Sequence, residues 1–208
     1  MTENLSKFDT DLSDGKWAEK VVRDICIESG FLDTRLNTTD KLDSSGRPTQ
    51  EGLEELKRFD VCNSIFTVEV KNDKASADWN RAFFELFYND KASGLNATDS
   101  SLWVHFYYGK DIEGISMAGV WVANTNSLRH HVRQDYLVHS LTINSCGDRG
   151  QSRGFAFYPK WFQEHFFQLA RFDNNGILQF HNGTVTRYML EVALSQNVWN
   201  DNSIINTE

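Results

Sequence analysis

Between Phe59 and Asp73 the chain reads FDVCNSIFTVEVKND, with apolar residues at alternate positions on both sides of Asn63-Ser64. Phe59, Val61, Phe66, Val68 and Val70 carry this alternation, and a period of two is that of a strand buried on one face. With Asn63-Ser64 as a two-residue hairpin loop, Cys62 pairs with Ile65, Val61 with Phe66 and Asp60 with Thr67. All five apolar residues then share one face. Asp60, Thr67, Glu69 and Lys71 share the other, because side chains alternate strictly across a strand. Asp60 lies diagonal to Glu69 in this pairing, at roughly 7–8 Å between α-carbons. Two acids and a lysine converge on one patch.

Those residue types suit a divalent cation. Mg²⁺ takes oxygen ligands in near-octahedral geometry, from one or two carboxylates completed by water and substrate phosphate. Asp60 and Glu69 supply the carboxylates, and the backbone carbonyl of Val70 a third oxygen. Such an ion lowers the pKa of water and polarises a phosphoryl oxygen. Lys71 beside it can orient a nucleophile or offset negative charge in the transition state. The competing reading is a solvent-facing Glu-x-Lys strand whose cross-strand ion pair contributes about 0–1 kcal/mol.

An Asp, a short turn and then Glu-x-Lys at the end of a strand resembles the core of the PD-(D/E)XK nuclease superfamily, the restriction-endonuclease-like fold. Phe59 stands where that motif usually has proline. The superfamily also tends to carry a glutamate on its first helix, and Glu19 in GKWAEKVVRDI (15–25) matches. Downstream, residues 79–106 resemble a pattern of small, mostly phage-encoded members through Asn80, Glu85, Ser93-Gly94 and Trp103. The resemblance covers about residues 13–125. It implies Mg²⁺-dependent phosphodiester hydrolysis (Mn²⁺ as substitute), DNA as substrate, and a homodimer where both strands are cut. Asp60 and Glu69 then hold metal, Lys71 assists the nucleophile and Glu19 supports the site.

The chain of 208 residues suits one α/β domain, a central mixed sheet flanked by helices. Residues 1–12 read as a flexible tail, 13–200 as the domain and 201–208 as a frayed end. Three cysteines without metal-ligand spacing suit a reduced, cytoplasmic protein, in the host cytoplasm for a phage-encoded one. No apolar run is long enough to span a membrane.

A net charge of −8 opposes nucleic-acid binding, whose footprint is basic. Binding depends on local charge, however, and an acidic metal site is neutralised by its ion. Local basic candidates are Arg129, His130, His131 and Arg133 in one segment, and Arg149, Arg153 and Lys160 in another. The acidity also motivates an alternative, a catalytically inactive relative that binds nucleic acid or a protein partner.

Ser13 or Asp14 can cap a first helix that runs to about Ser29, with Gly30 as its stop. Glu19 lies at the border of its apolar face, equally placed to reach a metal or to favour the positive helix end. Residues 34–52 read as a long loop, followed by a short helix near Glu51–Lys57. A strand near 81–88 sets Glu85 beside Phe83 and Phe87, as a third site carboxylate or a strand-edge acid, with Asn80 as a candidate polar site residue. Strands follow at 102–108 and 115–123, then a helix capped by Thr125 and running to about Tyr136. Phe155–Tyr158 suits a short strand. Pro159 opens an aromatic helix that includes Phe166 and Phe167, and residues 176–194 form a closing hairpin or a strand followed by a helix.

Overall fold

The computed structural model describes residues 7–139, 144–146 and 151–196. Helix α1 (Lys7–Glu28) lays Ala18, Val22, Ile25 and Cys26 against Val68 and Val70 of β3 (Thr67–Asp73). It begins before the cap expected at Ser13 or Asp14. Asp14 instead sits inside the helix, where its carbonyl accepts the Asn72 side-chain amide at 3.1 Å and its carboxylate pairs with Lys74. Gly30 ends the helix as expected, at φ +92°. The Phe31 N–H closes onto the Cys26 carbonyl at 3.0 Å, which satisfies one of the carbonyls left over at a helix end.

The main sheet has seven strands. In spatial order they are β1 (Arg35–Leu36), β2 (Val61–Cys62), β3, β6 (Leu102–Tyr107), β7 (Gly119–Asn124), β10 (Phe167–Phe172) and β11 (Leu178–Phe180). Only β3 and β6 run parallel, so the sheet is mixed. A second sheet orders β5 (Lys91–Ala92), β4 (Ala82–Tyr88), β9 (Ser152–Phe157) and β8 (Asn144–Cys146).

Alternation along β3 and β6 divides the core in two. Val68, Val70, Leu102, Val104 and Phe106 face α1 and α6 (Gly183–Ser195). Trp103, Tyr107 and Trp121 face the second sheet, where they share a core with its Phe84, Leu86 and Phe155 and with Phe162 of the helix that follows β9. The fold is thus a mixed α/β domain with helices on one face of the large sheet. A small sheet covers the other face with α4 (Thr125–His139) and α5 (Pro159–His165).

The hairpin at 59–73 differs from the two-residue form. Val61 pairs with Val68 and Cys62 with Thr67, leaving four residues in the turn. The Asn63 side chain explains this, since its Oδ1 accepts the N–H groups of Ile65 (2.8 Å) and Phe66 (2.9 Å). An asparagine that mimics a backbone turn in this way competes with a tighter loop. The offset is two residues, so Val61, Phe66, Val68 and Val70 are buried as expected while Glu69 and Lys71 take the opposite face.

Other elements moved modestly. Residues 34–52 contain β1 and a bridge between Leu42 and Pro48, and lead into α2 (Gln50–Leu56), capped by Thr49. Asn124 rather than Thr125 caps α4, its Oδ1 accepting the N–H groups of Asn126 and Ser127. Phe167 opens β10 instead of continuing α5, and the closing segment is a strand followed by a helix. No described helix is long and apolar enough to cross a membrane.

A carboxylate and lysine cleft between the two sheets

Glu69 projects from β3 toward the second sheet and is buried, with 8% of its surface exposed. Two residues on, Lys71 shares that face and folds back so that Nζ lies 2.8 Å from Glu69 Oε1. The ammonium also stands 5.7 Å from the ring centroid of Trp103, the residue paired with Glu69 on β6. An aromatic face favours a cation held over it. Burial opposes the charge on Lys71, but the fields of Glu69, Asp60 and Glu85 outweigh it and raise its pKa.

Asp60 enters from the start of β2. Its N–H donates to the Val68 carbonyl at 2.8 Å, and its Oδ2 accepts the Val70 N–H at 2.7 Å. The N–H and C=O of one strand residue point to the same side, so the Val70 carbonyl faces the edge that Asp60 occupies. Burial is the largest influence on Asp60, followed by the like charge of Glu69. Together they push its carboxyl from 3.8 to about 7, against the Val70 N–H and Lys71. A carboxyl in that condition is a mark of a functional site as well as of strain. Glu19 of α1 belongs to the same group: burial raises its pKa, Lys16 pulls it back and the charge of Glu69 raises it further.

Asp60, Glu69 and Lys71 line one cleft of about 360 Å³, together with Lys57, Tyr88, Lys91 and Ser93. A larger cleft of about 720 Å³ lies on the other side of Asp60 and includes Glu19, Lys16 and Lys20. Glu85 reaches this region through Ser93, whose hydroxyl donates to Glu85 Oε1 at 2.6 Å. Gly94 has φ +48° and a Cβ there would lie 2.4 Å from the Glu85 carbonyl, so the 93–94 turn requires glycine. The Ser-Gly pair picked out in the sequence therefore forms a wall of the cleft.

Asn80 lies elsewhere. It ends the short helix α3 (Ser76–Trp79) at φ +50°, and its Oδ1 accepts from the Tyr107 hydroxyl (3.1 Å) and the Lys110 N–H (2.7 Å). Asp73 likewise joins a structural network, accepting the Phe83 N–H at 3.0 Å and lying 3.2 Å from buried His105.

None of the described basic residues read from the sequence borders either cleft. Arg129 is buried at 9% exposure, and its guanidinium donates to the Leu95 carbonyl (2.8 Å), the Thr98 carbonyl and Asn126 Oδ1 (3.1 Å). A guanidinium spent on loop carbonyls holds the turn after Ser93 and is not presented to phosphate. His130 and Arg133 are half-buried on α4. His131 packs its ring 4.2 Å from that of His165. Arg153 pairs with Asp90 at 2.9 Å and stacks over Phe87, while Lys160 is exposed on α5. Arg149 lies outside the described residues. The cations beside the acids are instead Lys16, Lys20, Lys57 and Lys91, which come from α1, the end of α2 and β5. Lys16 had a legible signal, being one helical turn before Glu19, and Lys20 lies one turn beyond Lys16; Lys91 had none.

Among the described residues no three His, Cys, Asp or Glu side chains form a ready metal-binding group. The oxygen donors on this edge are the Glu69 carboxylate, the Asp60 carboxyl with its pKa raised by burial and by the charge of Glu69, and the Val70 carbonyl, a set of the kind Mg²⁺ takes with water in the remaining positions. No protein-family model, curated protein or solved structure matches this chain.

Proposed function

We propose that the chain is a metal-dependent nuclease that hydrolyses phosphodiester bonds, with DNA as its substrate. The observation that carries this reading is the crowding of Asp60 and Glu69 beside Lys71 in one cleft, with the Asp60 carboxyl held near neutrality. A structural ion pair has no need of a second buried acid, whose desolvation is a cost. A site that accepts a cation does need one.

Asp60 and Glu69 would hold Mg²⁺, with Val70 contributing its carbonyl. When bound, the ion supplies charge neutralisation at a phosphoryl oxygen and a lowered pKa for water. Lys71 is already aimed by Glu69 and the Trp103 ring, so its ammonium can meet developing negative charge without further reorganisation. Glu19 borders the acids from the helix side and adds negative field that favours a cation. Lys57 and Lys91 line the same cleft and offset the charge of the incoming backbone. With −8 overall, binding should be weak and strongly salt-dependent.

The test is cleavage of labelled linear, nicked, branched and single-stranded substrates at low salt, with Mg²⁺ or Mn²⁺. Glu69→Ala should abolish metal-stimulated cleavage with the fold intact, and unchanged cleavage by that variant would rule the assignment out. A second reading is a non-catalytic nucleic-acid or protein binder. The Lys71–Glu69 pair favours it, because that lysine already neutralises one acid without any ion.

A further inference from the structure

The larger cleft beside Asp60 differs in kind from the carboxylate cleft. Its walls are Leu36, Leu42, Pro48, Leu56 and Phe59, and apolar surface predominates in its lining. Its volume of about 720 Å³ falls within the range of small-molecule sites, which are likewise apolar with a few placed polar groups. Lys16, Glu19 and Lys20 stand on the α1 side, two cations to one acid, and Asp60 is shared with the carboxylate cleft.

The far wall is an ordered segment. Leu42 and Pro48 are bridged as an antiparallel pair, and Asp43 Oδ1 accepts the N–H groups of Ser45 (2.8 Å) and Arg47 (3.0 Å). Lys41 ties the base of this segment to Glu51 (2.5 Å) and Glu55 (2.6 Å) of α2. Phe59 is anchored from behind, its carbonyl accepting the Asn37 amide at 2.8 Å. The cleft is therefore a built recess, walled by chain held in place from both sides.

We infer that this recess takes the base of one unpaired nucleotide, with its phosphate drawn toward Lys16 and Lys20 and the adjoining phosphodiester led to Asp60. The inference rests on the reading of the neighbouring site as a nuclease, and it names the substrate class. A flat apolar ring flanked by an anion is the shape and charge that such walls and two lysines complement. A base inside a duplex is covered on both faces by its neighbours and cannot enter a recess without leaving the stack. A single strand or a frayed end can, and stacking on an aromatic side chain such as Phe59 is tolerant of base identity. The protein would thus favour unpaired strands and ends over blunt duplex.

Binding is measured by fluorescence anisotropy in EDTA, so that no cleavage enters the readout. The probes are a labelled 12-nucleotide DNA strand, the same strand as RNA, and that DNA strand annealed to its full complement as a blunt-ended duplex, for the wild-type chain, Phe59→Ala and Leu42→Ala. Leu42 is 49% exposed on its segment, so its loss leaves the core intact. The inference expects single strands to bind about tenfold or more tighter than the duplex, and each variant to lose most of that preference. Duplex affinity should stay unchanged. Equal affinity for strand and duplex, or a preference untouched by both variants, overturns it. Failure of the nuclease reading looks different: strand preference that depends on Phe59 and Leu42, with no cleavage when Mg²⁺ is restored, keeps the recess and removes the hydrolysis.

Discussion

Replacing Asp60 with Asn should stabilise the metal-free protein at alkaline pH while removing its activity. The amide oxygen of an asparagine can still accept the Val70 N–H that Asp60 accepts at 2.7 Å, so the variant loses a charge and keeps the hydrogen bond. The folded protein holds the Asp60 proton to about 7, against 3.8 for an ordinary aspartate. The folded state therefore binds more protons than the unfolded chain between those values. Stability must fall as pH rises from about 4 to about 7 and stay level above, where the carboxylate is charged in both states. The gap between 3.8 and about 7 sets a ceiling of roughly 4 kcal/mol on this loss. Relaxation of the charged site and an effective dielectric well above that of dry protein reduce it, to about 1–3 kcal/mol. For a chain of this size that is a rise in Tm of about 3–10 °C at pH 8 for Asp60→Asn over the parent. The assay is urea unfolding in EDTA at pH 4, 6 and 8. The two proteins should coincide near pH 4 and separate by pH 8, and Mg²⁺ should then stabilise the parent alone. A variant no more stable than its parent at pH 8, or a difference that persists unchanged at pH 4, would refute the reasoning.

Lys71→Met should lower cleavage about 10²–10³-fold in single-turnover assays, because a preorganised cation is lost at the reacting phosphate. It should leave Mn²⁺ affinity unchanged or improved, since Glu69 is released from its 2.8 Å partner. Arg129→Met should cost roughly 2–4 kcal/mol in chemical denaturation, through the Leu95 and Thr98 carbonyls left without their donor. Measured at a temperature where that variant is folded, its nucleic-acid affinity should match the parent's.

Much of the candidate site was legible because strand geometry has a period of two. The true hairpin turn is two residues longer than the sequence suggests, yet an even offset preserves faces, and Glu69 and Lys71 remained together opposite Val68 and Val70. The turn itself was misread because Asn63 bonds two N–H groups of its own loop, an option that alternation does not express. Helical phase puts Glu19 at the border of the α1 apolar face, and there it is half-buried and lies within the field of Glu69.

The described basic residues lie away from the acids for a different reason. A run such as Arg129–Arg133 reveals charge but not direction, and Arg129 points inward to carbonyls of a turn about thirty residues earlier in the chain. Lys91 reaches the cleft from β5 of the second sheet, so tertiary packing brings it to the rim, whereas Lys57 stands just ahead of Asp60 in the chain. Phe166 and Phe167 fit a helix or a strand equally by composition. The main sheet decides between them by pairing Phe167 with Val122.

Titration of the metal-free protein with Mn²⁺ by calorimetry tests the central claim most directly. One ion should bind at millimolar concentration or better, more tightly as pH rises past about 7 and Asp60 gives up its proton, and Asp60→Asn should bind none. No heat of binding from the parent protein, or binding that survives loss of that carboxylate, would contradict a cation site between these two strands.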